Sequence, residues 1–595
     1  MNSESRTCQN CKQSFAIEPD DFAFYEKIKV PPPTFCPYCR AQRRFCWRNE
    51  WVLYKAPSAF SGKDIFQMYA PEVGVKVYEK EIYYSDQWDP MVYARDYDFS
   101  RPFFAQFKDL LFAVPLKNLD VLNGVNSDYT NNLTEPKNCY LVFNGSNPED
   151  CRYGNGINFC RDCQDMSHMS KSEECYECFW LNGCARCMFS SQCDSCFDMW
   201  FSKNCVGCNN CFGCVGLRNK SYYIWNEPHS KEEYEKIVAA FGLSSHTAVE
   251  QMKVKAKEFW LGFPNKYVEG IKNENVSGAY VDRCKNVRNS FLVRESENLR
   301  YCQYVQELPG SRDCYDYSIW GDNNQLVYEC HTSGIGMHNV KFSVFAKENI
   351  RDVEYSYACT TCSDCFGCVS LRKKQYCIFN KQYTKEEYFA LRDKIVAQMN
   401  DMPYTDRNGC VYRYGEFFPA EISPFPYNQT LAQEYFPIEK EEALKRGYRW
   451  IDTGEKNYNA TLLPENIPDD IANVPDSIAQ DIINCEHGGA CNQLCTKAFR
   501  IIPDELAFYR KHQLPVPHLC PNCRAFERLK QRNGIHLYKR QCGCGGANSI
   551  GDVYKNTAAS HFHGAAACPN QFETSYAPER PEVVYCEQCY QAEVV

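Results

Sequence analysis

The sequence predicts a mainly β, multidomain chain. It would carry two narrow right-handed β-solenoids of about twelve residues per coil, with capping helices, between terminal zinc-ribbon modules. Three observations lead there. Fourteen cysteines from Cys139 to Cys214 share one register in which every separation is a multiple of three. Two stretches of the middle repeat each other, and the two ends repeat each other.

At 595 residues the chain exceeds a single core. The expected segments are a zinc ribbon with a degenerate second knuckle (1–98), a helical connector (99–126) and a first cysteine-rich solenoid (127–229). Capping helices (230–275), a second solenoid (276–382), a capping helix with linker (383–484) and a double zinc module (485–595) follow. Apolar residues make up 44% and charged residues 24%, which is ordinary for folded protein. A net charge of −9 argues against a surface coated for non-specific nucleic-acid binding. No run of roughly 18 apolar residues occurs, so no membrane span is expected. The segment Met1 to Thr7 lacks the apolar core of a secretion signal. The 39 cysteines, many in short pairs beside proline and arginine, read as zinc binding in a reducing, cytoplasmic compartment. Export with cross-linked cysteines is the alternative.

The N-terminal module begins with Cys8 and Cys11, followed by Cys36 and Cys39, two knuckles of a zinc ribbon. Thirteen residues from Cys11 to Ala41 recur 484 positions later, from Cys495 to Ala525. The C-terminal counterpart therefore reads as Cys491, Cys495, Cys520 and Cys523. Four thiolates fill a tetrahedral ion, which makes each site structural. Further on, Cys542, Cys568, Cys586 and Cys589 predict another site, with Cys544 as a spare or substitute ligand. The N-terminal counterparts are Ser58, Ser61, Glu79 and Ile82, so that second knuckle is expected to keep its fold without metal. About three zinc ions per chain follow. His561 and His563 could ligate, but an exposed Gly/Ala-rich loop is the plainer expectation.

A basic run follows each second knuckle: Arg40, Arg44 and Arg48 at one end, Arg524, Arg528 and Arg532 at the other. On a helix each trio shares a face, and Phe45 and Trp47 add stacking surfaces, a composition suited to RNA or DNA. The alternative is that these arginines pair with acids or pack on tyrosines.

In the middle, every third residue from Cys139 is small or apolar until Lys220, and the residues between are polar. Cysteine is small enough for a narrow interior that leucine would overpack. The coil geometry is similar to that of beetle-type antifreeze proteins, without their ice-binding threonine rows. Nine residues from Cys205 to Tyr234 recur 154 positions on, from Cys359 to Tyr388. The second copy starts at Cys284, includes Leu308, slips between Leu326 and Val344, and resumes at Ile350, which predicts irregular coils or an inserted loop. Capping boxes at Ser230/Glu233 and Thr384/Glu387 predict helices that cover the end of each copy. Cys205, Cys208, Cys211 and Cys214 also approach an iron–sulfur spacing, although Val215 stands where a ferredoxin has proline.

The run Cys8 to Arg44, the segment Asp96 to Phe104 and the tail Phe572 to Val595 together resemble the uncharacterised cysteine-rich zinc-ribbon proteins of candidate-phylum, small-genome bacteria. That resemblance implies zinc binding and no established activity. No phosphate-binding glycine loop, His-Glu-x-x-His motif or nucleophile elbow occurs. The expected function is a non-enzymatic zinc-binding scaffold or interaction protein with an unidentified protein partner. The alternatives are an RNA/DNA- or ribosome-associated zinc ribbon and an iron–sulfur electron carrier.

Overall fold

The computed structural model describes residues 2–306, 309–452, 459–491, 493–546, 554–558 and 560–594; Leu308 and Val595 lie outside them. The chain divides into two compact units, each assembled from two separated segments. Unit 1 is Met1–Asp120 with Val268–Asp452, and unit 2 is Val121–Tyr267 with Thr453–Val595. Each unit thus combines one terminal cysteine module with one cysteine-rich run of parallel strands.

In unit 2, six strands from Val121–Leu122 to Tyr176–Phe179 lie in sequence order in one sheet, and four more run from Phe197–Trp200 to Glu227–Pro228. Successive strands pair in parallel at a spacing of twelve, as in Arg152↔Gln164 and Gln164↔Tyr176. Isolated bridges such as Phe179↔Ser191 keep the same spacing between the two sheets. In unit 1 a twelve-stranded sheet starts at Gly278–Asp282. Its spacing is twelve at Gly278↔Ser290, fifteen at Glu297↔Arg312, thirteen at Arg312↔Gln325 and Gln325↔His338, and twelve again at Arg351↔Ser363. The slip seen in the sequence falls where each repeat gains a residue.

The backbone accounts for the three-residue period. Asn138, Leu141, Asn144, Asn147 and Asp150 all have φ near +50°, and the pattern continues through Asp162, Asp165, His168 and Lys171. The residue after each left-handed position turns inward, so Cys139, Val142, Cys151 and Cys163 are all buried. The cysteine thiols donate to main-chain carbonyls: Cys151 Sγ lies 3.2 Å from Glu149 O and 3.4 Å from Cys160 O. Left-handed φ is costly for most side chains, and asparagine and aspartate tolerate it best. Along the outside the same residues stack at the repeat spacing, with Asn138 Nδ2 donating to Asp150 Oδ1 at 2.9 Å.

Each ladder ends in a short antiparallel strand and a helix, Lys231–Ala240 in unit 2 and Lys385–Asp401 in unit 1. Ser230 and Thr384 cap them, and each accepts from the third helical amide at 3.2 Å. Phe241 then stacks on Phe212 at 4.6 Å, closing the apolar end of the first ladder.

The mainly β expectation is corrected. Twelve α-helices and sheets of two to twelve strands, counted among the described residues, make a mixed α/β fold. No sheet there is closed or curled on itself, so the two right-handed solenoids are withdrawn. The cysteine period reports only on the stretches that contain it. Helices such as Pro503–His512 and Pro521–Leu529 lie outside it, and Phe103–Ala113 lies within the connector expected to be helical.

Candidate metal centres

Three four-cysteine clusters bring their sulfurs within 4.8 Å of one another: Cys8, Cys11, Cys36 and Cys39; Cys485, Cys495, Cys520 and Cys523; Cys542, Cys568, Cys586 and Cys589. All three are assembled in the same way. In the first, the hairpin of Glu4–Thr7 and Ser14–Ile17 carries Cys8 and Cys11 in its turn, which Lys12 closes at φ 62°. Cys36 caps the helix Pro37–Phe45, and Pro37 at the first helical position gives up no needed donor. Cys36 N–H donates to Cys8 Sγ at 3.2 Å. Cys520 N–H to Cys485 Sγ and Cys586 N–H to Cys542 Sγ repeat that bond, both at 3.2 Å. Cys520 likewise caps the helix Pro521–Leu529, and Cys586 precedes the helix Glu587–Val594. Thiolates at helix N-termini are favoured by the helix dipole.

Four sulfurs around one zinc ion would lie about 3.8 Å apart, given Zn–S bonds of about 2.3 Å. The sulfurs of Cys11 and Cys36 are 3.7 Å apart, those of Cys495 and Cys520 4.0 Å, and those of Cys568 and Cys586 3.9 Å. The donor sets therefore fit the ion. Hydrogen bonds from Cys36 and Cys39 hold the Cys8 thiol far below its ordinary value, and Cys485 and Cys523 do the same for Cys520.

At the second site the four-cysteine cluster contains Cys485 where Cys491 was expected, and Cys485 Sγ accepts the amide bond that marks the first cysteine of each knuckle. Cys491 instead groups with His487 and Cys523, its sulfur 3.7 Å from that of Cys523. Position 492, where the 484-residue offset points for Cys8, is asparagine, and no spacing rule reaches back to Cys485. At the second N-terminal knuckle, the strands Tyr54–Pro57 and Asp64–Gln67 match Tyr538–Gln541 and Gln571–Thr574. Ser58 donates to the Glu79 carboxylate at the position of a cysteine pair. His561 and His563 come together with Cys544 and Cys589.

The basic residues named from the sequence turn inward. Arg40 and Arg44 are 1% and 0% exposed, and both pair with Asp316, at 2.9 and 3.0 Å. Arg44 also reaches Glu329 at 3.0 Å, as does Arg43 at 2.7 Å. Arg48 pairs with Glu50 at 3.0 Å. In unit 2, Arg524 and Arg528 converge on Asp165 at 3.0 and 2.8 Å. Arg532 is half-buried. The match between units extends to the flanks: Arg300 meets Asp20 and Asp21, and Arg152 meets Asp504. Tyr301 and Tyr153 donate to Asp21 and Glu505. Arg40, Arg44, Arg524 and Arg528 join each terminal module to its ladder through buried ion pairs. Asp165, Glu177, Asp316 and Glu329 sit in the ladders at left-handed positions, and sequence reasoning gave them no role. The signal was there: Asp165 and Glu177 lie twelve apart, with Ser167 and Cys178 beside them, and Asp316, Glu329, Ser318 and Cys330 repeat the set.

No helix among the described residues is long and apolar enough to cross a membrane. No protein-family model matches the chain, and no curated protein matches it. Among solved structures, a chain assigned as an acetyltransferase from Desulfovibrio desulfuricans G20 is 11% identical and aligns over 39% of this chain and 63% of its own. The chain thus spans less than two thirds of that protein, and at a TM-score of 0.10 the likeness carries no structural argument.

Proposed function

We propose that the chain is a non-enzymatic, metal-binding scaffold or interaction protein whose ions hold the terminal modules in shape for docking on the ladders. The observation that carries this reading is the closed donor set: four thiolates per ion leave no open position for substrate or water. A cleft of about 530 Å³ in unit 2 supports a binding role. It is lined by Trp260, His246, His518, Glu250 and Lys257, beside the Asp165 cluster. At the matching place in unit 1, Arg43 bridges Glu329 and Glu416, and all three side chains are buried. On its cysteine usage we place the protein in the cytoplasm, among the zinc-ribbon proteins it resembles. The test is metal analysis with a visible spectrum of the purified chain. Zinc without iron, and no absorption near about 400 nm, is the expected result; bound iron with that absorption would make it an iron–sulfur carrier. A nucleic-acid or ribosome-associated role would need a basic surface other than the docked arginines. RNA that co-purifies and is released by salt would favour it.

A further inference from the structure

The C-terminal module holds more donors than one ion requires. Cys544 is 1% exposed, and its sulfur lies 3.6 Å from His561 Nδ1. His563 Nε2 lies 3.3 Å from Cys589 Sγ. The four donor atoms fall within 4.8 Å of one another, the same closeness as the four-cysteine sets. The separations match the edge of a tetrahedron with zinc–sulfur and zinc–nitrogen bonds, about 3.5 Å.

The surroundings aim these donors. The other ring nitrogen of His561, Nε2, is 2.7 Å from Glu593 Oε1, and both side chains are buried. The other ring nitrogen of His563, Nδ1, is 2.7 Å from Ala566 O. Both partners are acceptors, so each must receive the ring N–H, which leaves a lone pair on the nitrogen that faces sulfur. This carboxylate–histidine and carbonyl–histidine support is what orients metal-ligating imidazoles. Glu593 is itself fixed, accepting from Thr557 N at 2.7 Å and Ala558 N at 3.2 Å. Asn556 Nδ2 donates to Cys544 Sγ at 3.1 Å, as suits a thiolate.

Cys589 belongs to both donor sets. We propose that Cys544, His561, His563 and Cys589 hold a second metal ion, of the zinc class, beside the Cys542/Cys568/Cys586/Cys589 ion, with the Cys589 thiolate bridging the two. Two sulfurs and two imidazoles are a donor set suited to tetrahedral zinc. Charge favours the pair as well. One dication among four thiolates carries two net negative charges, whereas two dications among five thiolates carry one, in a buried place where excess charge is costly.

The test uses the full chain, saturated with Zn²⁺ and desalted. The double variant His561→Gln/His563→Gln is expected to bind one ion fewer than the parent and keep the rest, which also reports that it folds. Cys544→Ser should lose the same single ion. In the cadmium-substituted parent, NMR should show two cadmium resonances split by each other through the shared sulfur, with the splitting gone in the double variant. Equal metal content in parent and variants, or cadmium resonances with no mutual splitting, would overturn the proposal.

Discussion

Asp165 and Asp316 each sit fully buried between two guanidinium groups, and each joins a terminal module to its ladder. Removing one partner of a buried pair leaves charge uncompensated, which typically costs about 3–5 kcal/mol. Asp165→Asn and Asp316→Asn should each lower the unfolding free energy of their own unit by that order, read as a lower denaturant midpoint, while an exposed control, Asp109→Asn, should not. Equal midpoints would mean that the arginines are satisfied elsewhere. A gentler contact reports through pH. Burial pushes the Glu177 carboxyl up, but Lys253, 2.8 Å away, outweighs burial with help from Arg528 and Arg524 and holds it below its ordinary value. The stabilisation from this pair is therefore complete above about pH 4.3, the unfolded carboxyl value, and fades as pH falls through the lowered folded value. Amide exchange in the helix His246–Leu261 should be slower in the parent than in Glu177→Gln at about pH 6. That difference should shrink as pH falls through the lowered folded value. A difference that persists at low pH would remove Lys253–Glu177 as the cause.

Among the elements, the ladders owe their register to size and backbone sign together. Cys163 is fully buried, donating to Arg161 O at 3.1 Å and contacting Ser172 O at 3.6 Å. A larger side chain has no room there. Cys163→Leu should cost about 1–3 kcal/mol by overpacking, more than Cys163→Ala, as read by thermal unfolding. Gly278 is a harder limit: at φ 134°, a Cβ would stand 1.7 Å from the Ser290 carbonyl oxygen. Gly278→Ala should therefore destabilise unit 1 by more than about 3 kcal/mol. Against these elements the reach of the sequence can be judged. The inward face of the first ladder was legible because cysteine appears almost nowhere else in that stretch. The left-handed residue ahead of each inward one is equally present, as Asn138, Asn144, Asn147, Asp150 and Asp162, but a polar residue there is indistinguishable by composition from ordinary exposed surface. The thirteen-residue repeats after Arg312 looked like a slip because one added residue shifts a three-residue register. The capping helices were legible from Ser230 and Thr384. The mixed α/β class was not, since the helices of the terminal modules carry no period that competes with the cysteines.

At the scale of the whole chain, neither cysteine module closes on its own neighbour in sequence. Residues 1–120 pack with 268–452, through Arg40, Arg43 and Arg44 on Asp316 and Glu329 and through Phe24 stacked on Tyr315 at 3.9 Å. Asp120 adds a buried contact to Lys347. Residues 121–267 pack with 453–595 through Arg528 on Asp165 and the parallel pairing Asn265↔Val584. Zinc should be essential to both units, because a structural site can contribute about 10–16 kcal/mol of folding free energy, comparable to a domain's net stability. A strong chelator is expected to abolish the near-ultraviolet tyrosine signal, and added Zn²⁺ to restore it. The non-covalent character of each unit has a sharper consequence. Protease sites placed in the exposed stretches just past the first two crossings, at Asn123 and Lys272, and near residue 452 should cut the folded protein without dispersing either unit. After digestion, the N-terminal piece should still elute with the piece that ends near residue 452, because the ion pairs and the aromatic stack that join them do not depend on the chain crossing. In Asp316→Asn/Glu329→Gln the same cut should release the N-terminal piece, since Arg40, Arg43 and Arg44 then face no carboxylate on the ladder. If the parent's pieces part on cutting, the buried cluster is too weak to be the joint, and covalent continuity holds each unit together.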